Sequence, residues 1–580
     1  MNSVIERTHP QISTCSEAES KLARAIDRWH WLIAILTLSL VEILCFGRLA
    51  KQAGFYLDDW RMLGHLRLDA PEAGLLPSVV AYLGDPLMLI RPIQAVYFAC
   101  LQQAFGLAPL GYHVTNGVFE VLSAFFLYLT LRAITGNRLA AIASAILFLI
   151  YPSHDANHYW VLSGAANLSM AATTASFWLT LKGLEKGSLG LHALAVLCFT
   201  FSIFCYEILL PLCAVNVMLC FFHSLSSRSL LKTAVTTIIC GLSFSLAIAS
   251  LLFYTRVIAP LLGEAAVYKV SFHPGHVLKT VTNGFLLNCP HESWAFFFSQ
   301  SSQYCAHLFK ASDVVVLLGL VAVITAALAC FSTLKERPAQ AGVLISMGLT
   351  AIICSYTIFG LSQNYPPTYQ TILNRINTGA GVGVAFVIAG IIQWMQRLCV
   401  VKGGSLLSGL IVAFTTALAI FYTTTNWGLS NPWLISWQMQ KHIGQSIKKN
   451  ISMFKDGDSL ILLNCPRYVM WSPVFDGVWD FENMLHVVTG NRKLRGGVVS
   501  ERMDIDEATA RDVANGVLCG VYDFEHMYVI IPPKCNIIKV TSARHFIEVV
   551  RQHGFGFQLD RGVITKWKRQ LAAESGSAAN

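Results

Sequence analysis

The chain has 580 residues, of which 54% are hydrophobic and only 13% charged. Soluble domains carry about a quarter charged residues, so this composition excludes a soluble globular protein and points to a helical membrane bundle. The formal net charge of +9 comes without any basic run interleaved with aromatics, which argues against nucleic acid as a partner. The 16 cysteines show no CxxC or Cys/His zinc spacing.

Residues 1–28 are mostly polar and read as a cytoplasmic segment. No A-x-A site follows the first apolar run, so helix one is expected to be a retained anchor. A spanning helix needs about 20 mostly apolar residues. Eleven segments are expected to span: 30–49, 112–131, 139–152, 161–181, 189–206, 208–223, 233–258, 313–332, 341–360, 373–395 and 405–425. With the N-terminus in the cytoplasm, each short inner connection carries a basic pair: Arg132 and Arg138, Lys182 and Lys186, Arg228 and Lys232, Lys335 and Arg337, Arg397 and Lys402. The opposite short connections carry none, which satisfies the positive-inside rule. The fold class is therefore an all-α polytopic membrane bundle, residues 29–425, with outer loops 50–111 and 259–312. Residues 426–570 are expected to form a small extracytoplasmic α/β domain, followed by a disordered tail at 571–580. Within that domain Asp458–Asn464 and Met527–Pro532 read as strands, and Phe481–Val488 and Ser542–His553 as helices. Cys289 and Cys305 share an outer loop and can form a disulfide there.

Polar groups beside a membrane are costly and mark functional sites. The first outer loop opens with Asp58, Asp59 and Trp60. One carboxylate of this pair can act as a general base and the other can bind a divalent cation; equally, the pair can be a solvated helix cap. Arg91, in an apolar stretch before Pro92, suits a phosphate or carboxylate, or snorkels to the interface. His113, Asn116 and Glu120 share one helix face, as a site lining or as interhelical hydrogen bonds. The second outer connection holds His154, Asp155, His158 and Trp160. These residues suit contacts to a polar substrate, or a metal without a zinc signature. Trp160 can stack on a sugar or sit in the aromatic belt. Glu207 lies at an outer turn, where it must pair, face a cavity or cap a helix. Arg375 stands at an outer helix start, beside a lipid phosphate or as an interfacial anchor. Few charges fall at mid-helix positions, which favours chemistry at the outer face over passage through the membrane.

The Asp-Asp-Trp after helix one, the Arg-Pro late in the first loop and the His-x-x-Asn at 113–116 together resemble the C-type (GT-C) glycosyltransferase superfamily. The Tyr-Pro-x-His at 151–154 and the Tyr-Glu at 206–207 followed by Pro211 add to the resemblance. The superfamily includes protein O-mannosyltransferases and aminoarabinose transferases. The resemblance covers residues 30–225 by motif and the rest by topology. It implies transfer, with inversion, from a polyprenyl-phosphate sugar donor to an extracytoplasmic acceptor: glycan, lipid or protein. It implies Asp58 or Asp59 as the catalytic carboxylate, and Arg375 and Arg91 as ligands of the donor phosphate. Trp60, His113, Asn116, His154, Asp155, His158, Trp160 and Glu207 would contact substrate. Mg²⁺ or Mn²⁺ is the cofactor expected, with Asp59 and Asp155 as its ligands. A multi-pass protein of a bacterial inner membrane, serving the cell envelope, is the expected setting. A transporter, flippase or polymerase for lipid-linked saccharides is the alternative.

Overall fold

The computed structural model describes residues 17–69, 74–227, 229–266, 272–289, 292–332, 341–362, 365–400, 405–500, 502–514 and 517–553. The expected tail at 571–580, the first 16 residues and the basic residues Arg228, Lys335, Arg337 and Lys402 lie outside them.

A helix occupies each of the eleven expected positions. The first is α1 (Glu17–Ala50). The outer loop that follows holds α2 (Asp58–Asp69), α3 (Leu75–Leu83), α4 (Pro86–Leu89) and α5 (Pro92–Phe105). The chain re-enters with α6 (Pro109–Thr135) and turns at Gly136, which is left-handed at φ 62°, into α7 (Arg138–Leu149). A short α8 (Ala156–Tyr159) precedes α9 (Gly164–Lys186), α10 (Leu189–Cys205), α11 (Cys213–Ser227) and α12 (Leu230–Phe253). The second outer loop is helical too, with α13 (Ala259–Leu262), α14 (Pro274–Leu287) and α15 (Glu292–His307). The bundle closes with α16 (Ala311–Ser332), α17 (Ala341–Gly360), α18 (Thr378–Val400) and α19 (Ser405–Lys449).

Among the described residues, eight helices are long and apolar enough to cross a membrane. The segments Arg138–His154 and Leu189–Cys205 are apolar but shorter. Helix α9 is long but polar on its packed faces. There Ser169 and Thr173 bond Ser202, and Thr180 and Ser176 bond Asn216, across to α10 and α11. Interhelical hydrogen bonds of this kind replace water inside a bilayer. The protein is a multi-pass membrane protein with a small strand-containing domain at its C-terminal end.

The span expected to stop at 425 continues as one helix to Lys449, through Pro432. A 45-residue helix is on the order of 68 Å long, far beyond a hydrocarbon core of about 30 Å. The domain boundary expected at 426 therefore falls inside a helix. The continuation is stabilised by a stripe of buried residues at helical spacing, Trp433, Gln440, Ile443 and Ile447. That stripe packs on the first outer loop and on the C-terminal domain.

The domain is built on a four-stranded sheet in the order β4-β1-β8-β9, from β1 (Ser459–Leu462), β4 (Arg495–Val498), β8 (Met527–Ile531) and β9 (Asn536–Val540). β1 runs parallel to both β4 and β8, and β9 is antiparallel to β8. Side chains alternate across the sheet. Leu460 and Leu462 face the core shared with α20 (Val478–Thr489) and the first outer loop, while Ile461 and Leu463 face α21 (Ala543–His553). A hairpin, β2 (Tyr468–Val469) with β3 (Ser472–Pro473), and a sheet of β5 (Met503–Ile505), β6 (Thr509–Ala514) and β7 (Val517–Asp523) complete it.

Cys289 and Cys305 are both free. Helix α15 begins at Glu292 and carries Cys305 near its far end, about 20 Å along the axis. A disulfide needs Cα atoms within about 7 Å.

The outer loop is seated through Gly54. A Cβ on Gly54 would stand 1.9 Å from the Trp437 ring of α19. Gly54→Ala is expected to destabilise the protein by about 1–3 kcal/mol through overpacking. A lowered midpoint in thermal unfolding of the detergent-solubilised protein would register this; an unchanged midpoint would mean that Trp437 moves aside freely.

Candidate functional site

The outer connections meet at one end of the bundle, and most of the residues singled out in the sequence lie there. The two adjacent aspartates have opposite environments. Asp59 is 2% exposed. Its carboxylate accepts the N–H of Tyr56 at 2.9 Å, of Leu162 at 2.7 Å and of Val161 at 3.3 Å. It therefore pins the first outer loop to the short connection between α7 and α9. Asp58, the first residue of α2, has no hydrogen-bond partner among the described residues and is only partly covered. Burial pushes its pKa above the ordinary carboxylate value, while Arg375 and Arg61 hold it down; Asp85 and Asp476 add to the rise. Asp476 belongs to the C-terminal domain, so that domain reaches the site.

Arg375 sits on a six-residue turn, Ile372–Asn377, that leads into α18. Its Nε donates to Tyr206 Oη at 3.2 Å and its Nη1 to the Ile372 carbonyl at 2.9 Å. The guanidinium lies 4.7 Å above the Trp160 ring. Among the described residues no carboxylate lies within 4.0 Å of it, and Nη2 is left without a hydrogen bond. Asp155 holds the turn from below by accepting from the Asn374 amide, while Asn374 Oδ1 accepts the N–H of Ala156. Burial raises the Asp155 pKa to about 7.

Two non-glycine residues with positive φ flank the pair. Leu57, with φ 51°, precedes Asp58, and Thr371, with φ 69° and ψ 175°, precedes the turn bearing Arg375. Such backbone strain concentrates where side chains are held for function.

Several expected substrate contacts have other work. Arg91 makes a two-point pair with Glu207, Nε to Oε2 at 2.8 Å and Nη2 to Oε1 at 2.5 Å. It also lies 4.4 Å over the Tyr206 ring. A buried guanidinium needs a counter-charge, and Glu207 supplies it with both oxygens. Arg91 therefore meets a carboxylate, not an open phosphate position. Trp60 is buried between loop and helix, with its indole N–H on Gln440 Oε1 at 2.6 Å and its ring stacked on Trp437. Trp160 is also buried; its N–H meets the Tyr56 carbonyl and its face carries Arg375, leaving no face for a sugar. His113 ties α6 to the Gly54 carbonyl at 3.0 Å, and Asn116 accepts from Tyr97. His154 packs among Phe148, Tyr151 and His158. His158 stacks on Phe46 and faces Glu120 across the bundle.

The residues do not fit a metal at the expected place. Asp59 already takes three backbone N–H groups and Asp155 an amide, and among the described residues the two are not gathered with a third ligand. Among the described residues one group has metal-ligand spacing, Glu42, Glu120 and His158. Glu42 is a carboxylate in the middle of an apolar span. Its presence there departs from the expectation of few mid-helix charges, and the cost of a lone intramembrane acid is the signal that identifies it. Asn374, the neighbour of Arg375, is a further residue of this region that nothing in its local sequence announces.

No family model matches the chain. A curated relative, "Protein O-mannosyl-transferase Tmtc1" of Drosophila melanogaster, is 30% identical over 111 residues, which are 18% of this chain and 13% of that protein. The chain thus matches only a small part of that relative's length. Among solved structures, ArnT from Cupriavidus metallidurans in the apo state aligns over 81% of this chain and 86% of its own, at 13% identity and a TM-score of 0.35. The same protein bound to undecaprenyl phosphate aligns over 81% and 85%, at 13% identity and a TM-score of 0.33.

Removing one member of the Arg91–Glu207 pair strands the other. Arg91→Ala is expected to cost on the order of 2 kcal/mol, below the 3–5 kcal/mol of a fully buried pair because Glu207 keeps 23% of its side-chain exposure. The double variant with Glu207→Ala should recover part of that loss. A thermal-unfolding double-mutant cycle with no coupling would show that the two side chains act separately.

Proposed function

We propose that the protein is a membrane glycosyltransferase that moves a sugar from a polyprenyl-phosphate donor to an acceptor on the outer side. The observation that carries the reading is that a carboxylate without a hydrogen-bond partner, Asp58, feels the charge of a guanidinium, Arg375, that has no carboxylate within 4.0 Å among the described residues. Both are held by a frame of other residues. A leaving phosphate requires a fixed cation and an acceptor hydroxyl requires a base; these two groups supply one of each. The motif resemblance and the short match to a protein O-mannosyl-transferase support the same class of chemistry.

In this reading Asp58 accepts the proton of the acceptor hydroxyl as its oxygen bonds to the anomeric carbon. The bond from that carbon to the phosphate oxygen breaks, and polyprenyl phosphate leaves with its charge on Arg375. Attack and departure on opposite faces give inversion. Arg375 is pre-set by Trp160, Tyr206 and the Ile372 carbonyl, so little reorganisation is needed when charge develops, which is where such sites gain most. No step is routed through a metal. The N-terminus is placed in the cytoplasm and the C-terminal domain outside, on the distribution of basic residues. The setting remains the inner membrane of a bacterial envelope.

Transfer from a panel of polyprenyl-phosphate sugars, measured in proteoliposomes, tests the assignment. Asp58→Asn should reduce the rate roughly 10²–10⁴-fold with normal insertion and thermal stability, whereas Asp59→Asn should lower stability. Normal transfer by Asp58→Asn would sink the reading, and lipid-linked sugar translocation without transfer would favour a carrier.

The pH profile supplies a second test. Asp58 must be ionised to take a proton, so kcat/KM should fall as pH drops through its pKa, which burial sets above the usual carboxylate range. Arg61→Ala removes one of the two cations that hold this pKa down and frees Asp85. The acid limb of the variant should move to higher pH; an unmoved limb would assign it to another group.

A further inference from the structure

Beneath the outer site, between α1 and α6, lies a cavity of about 360 Å³ with an apolar rim and a polar floor. Ile43, Val114 and Val118 on the rim are exposed on the helix surfaces. The floor holds Glu42, Glu120, His158 and Asn116. One ligand atom from each of Glu42, Glu120 and His158 lies within 4.8 Å of the others. Glu120 Oε2 is 2.6 Å from His158 Nδ1, and its Oε1 accepts from Asn167 at 2.7 Å.

This floor is short of partners. Glu42 Oε2, His158 Nε2 and Asn116 Nδ2 are buried and unbonded. Asn116 is 1% exposed and His158 8%. No lysine or arginine lines the cavity. Two carboxylates therefore face one imidazole inside a membrane bundle, where an uncompensated acid is costly. The packing is built around them. A Cβ on Gly117 would stand 2.9 Å from Glu42 Oε1, so glycine there makes room for the carboxylate.

We propose that Glu42, Glu120 and His158 bind one divalent transition cation, with Zn²⁺ or Mn²⁺ suited to a two-carboxylate, one-imidazole set. The cation neutralises the carboxylates, and Asn116 Nδ2, a buried donor without an acceptor, lines the same cavity. The site is distinct from Asp58 and Arg375 and does no chemistry on the sugar. It fixes α8: His158 lies two residues before Trp160, which carries Arg375, and shortly before Val161 and Leu162, which hold Asp59. The cation expected at Asp59 and Asp155 thus belongs one layer deeper, as a brace.

Metal analysis of the purified full-length protein tests this independently of transfer. Protein prepared without chelator should carry about one Zn²⁺ or Mn²⁺ per chain. Chelator-stripped protein should recover a higher unfolding midpoint on adding Zn²⁺ or Mn²⁺, but not Mg²⁺. Glu42→Gln and Glu120→Gln should each lower metal content at least about tenfold and abolish that recovery. In the stripped state Glu42→Gln should be no less stable than the stripped wild type, since it removes a buried like charge. Gly117→Ala, which keeps all three ligands and crowds Glu42, should weaken binding. Metal-free protein with no response to either ion, or metal retained by the Glu42→Gln/Glu120→Gln double variant, overturns the proposal. Neither result bears on Asp58, and loss of transfer in Asp58→Asn would leave this site intact.

Discussion

The outer connections are held together by one buried carboxylate. Asp59 gathers three backbone N–H groups from segments about a hundred residues apart, Tyr56 on one side and Val161 and Leu162 on the other. Hydrogen bonds to a charged group contribute on the order of 1.5–3 kcal/mol each, enough to offset much of the cost of taking the carboxylate out of water. The same geometry decides the role of its neighbour. Consecutive residues at a helix start are rotated by about 100°, so fixing Asp59 inward turns Asp58 away from the pin and leaves it without a partner. The Trp160 N–H on the Tyr56 carbonyl repeats the tie one residue before Val161.

The two outer arginines divide along similar lines. Arg91 is satisfied by both oxygens of Glu207, while Arg375 is oriented by neutral groups alone: a phenol, a carbonyl and an indole face. Tyr206 lies between them, its ring under Arg91 and its hydroxyl on Arg375. A phosphate entering this region meets one cation already neutralised and one that is not. The difference is a matter of partners rather than of residue type, which is why two arginines with equal claims in the sequence diverge in the structure.

What could be read in advance follows from the range of each signal. The eleven helices, the strands at 459–462 and 527–531 and the helices at 478–489 and 543–553 come from local hydropathy, which acts over one element. That Asp58, Arg91, Glu207 and Arg375 collect at one end of the bundle follows from the order of spans and connections, again counted loop by loop. Partner choice is long-range. Nothing near Asp59 announces Leu162, and nothing near Trp60 announces Gln440, 380 residues away. The continuation of α19 was legible in the spacing of Trp433, Gln440, Ile443 and Ile447, but that stripe reads as an amphipathic surface until the domain it supports is known. Glu42 was visible as a lone acid, and only the approach of α6 and α8 gives it company.

The long helix and the domain close the argument about access. Helix α20 packs against α2 where Gly64 admits the Asn483 side chain; a Cβ on Gly64 would stand 2.4 Å from its Oδ1. Asp480, buried in the first turn of α20, accepts from the N–H of Asp476, Gly477 and Phe481, and so fixes the loop that carries Asp476. In that loop Asp476 is itself paired with Arg467, and its carbonyl with Arg502. The charge of Asp476 is therefore ordered by the domain, whereas Arg375 is ordered by the bundle. Helix α2 and the Ile372–Asn377 turn both belong to the bundle, so Asp58 and Arg375 are positioned by that one body. What the domain adds is the packing of α20 on α2 and the negative charge of Asp476, which acts on Asp58.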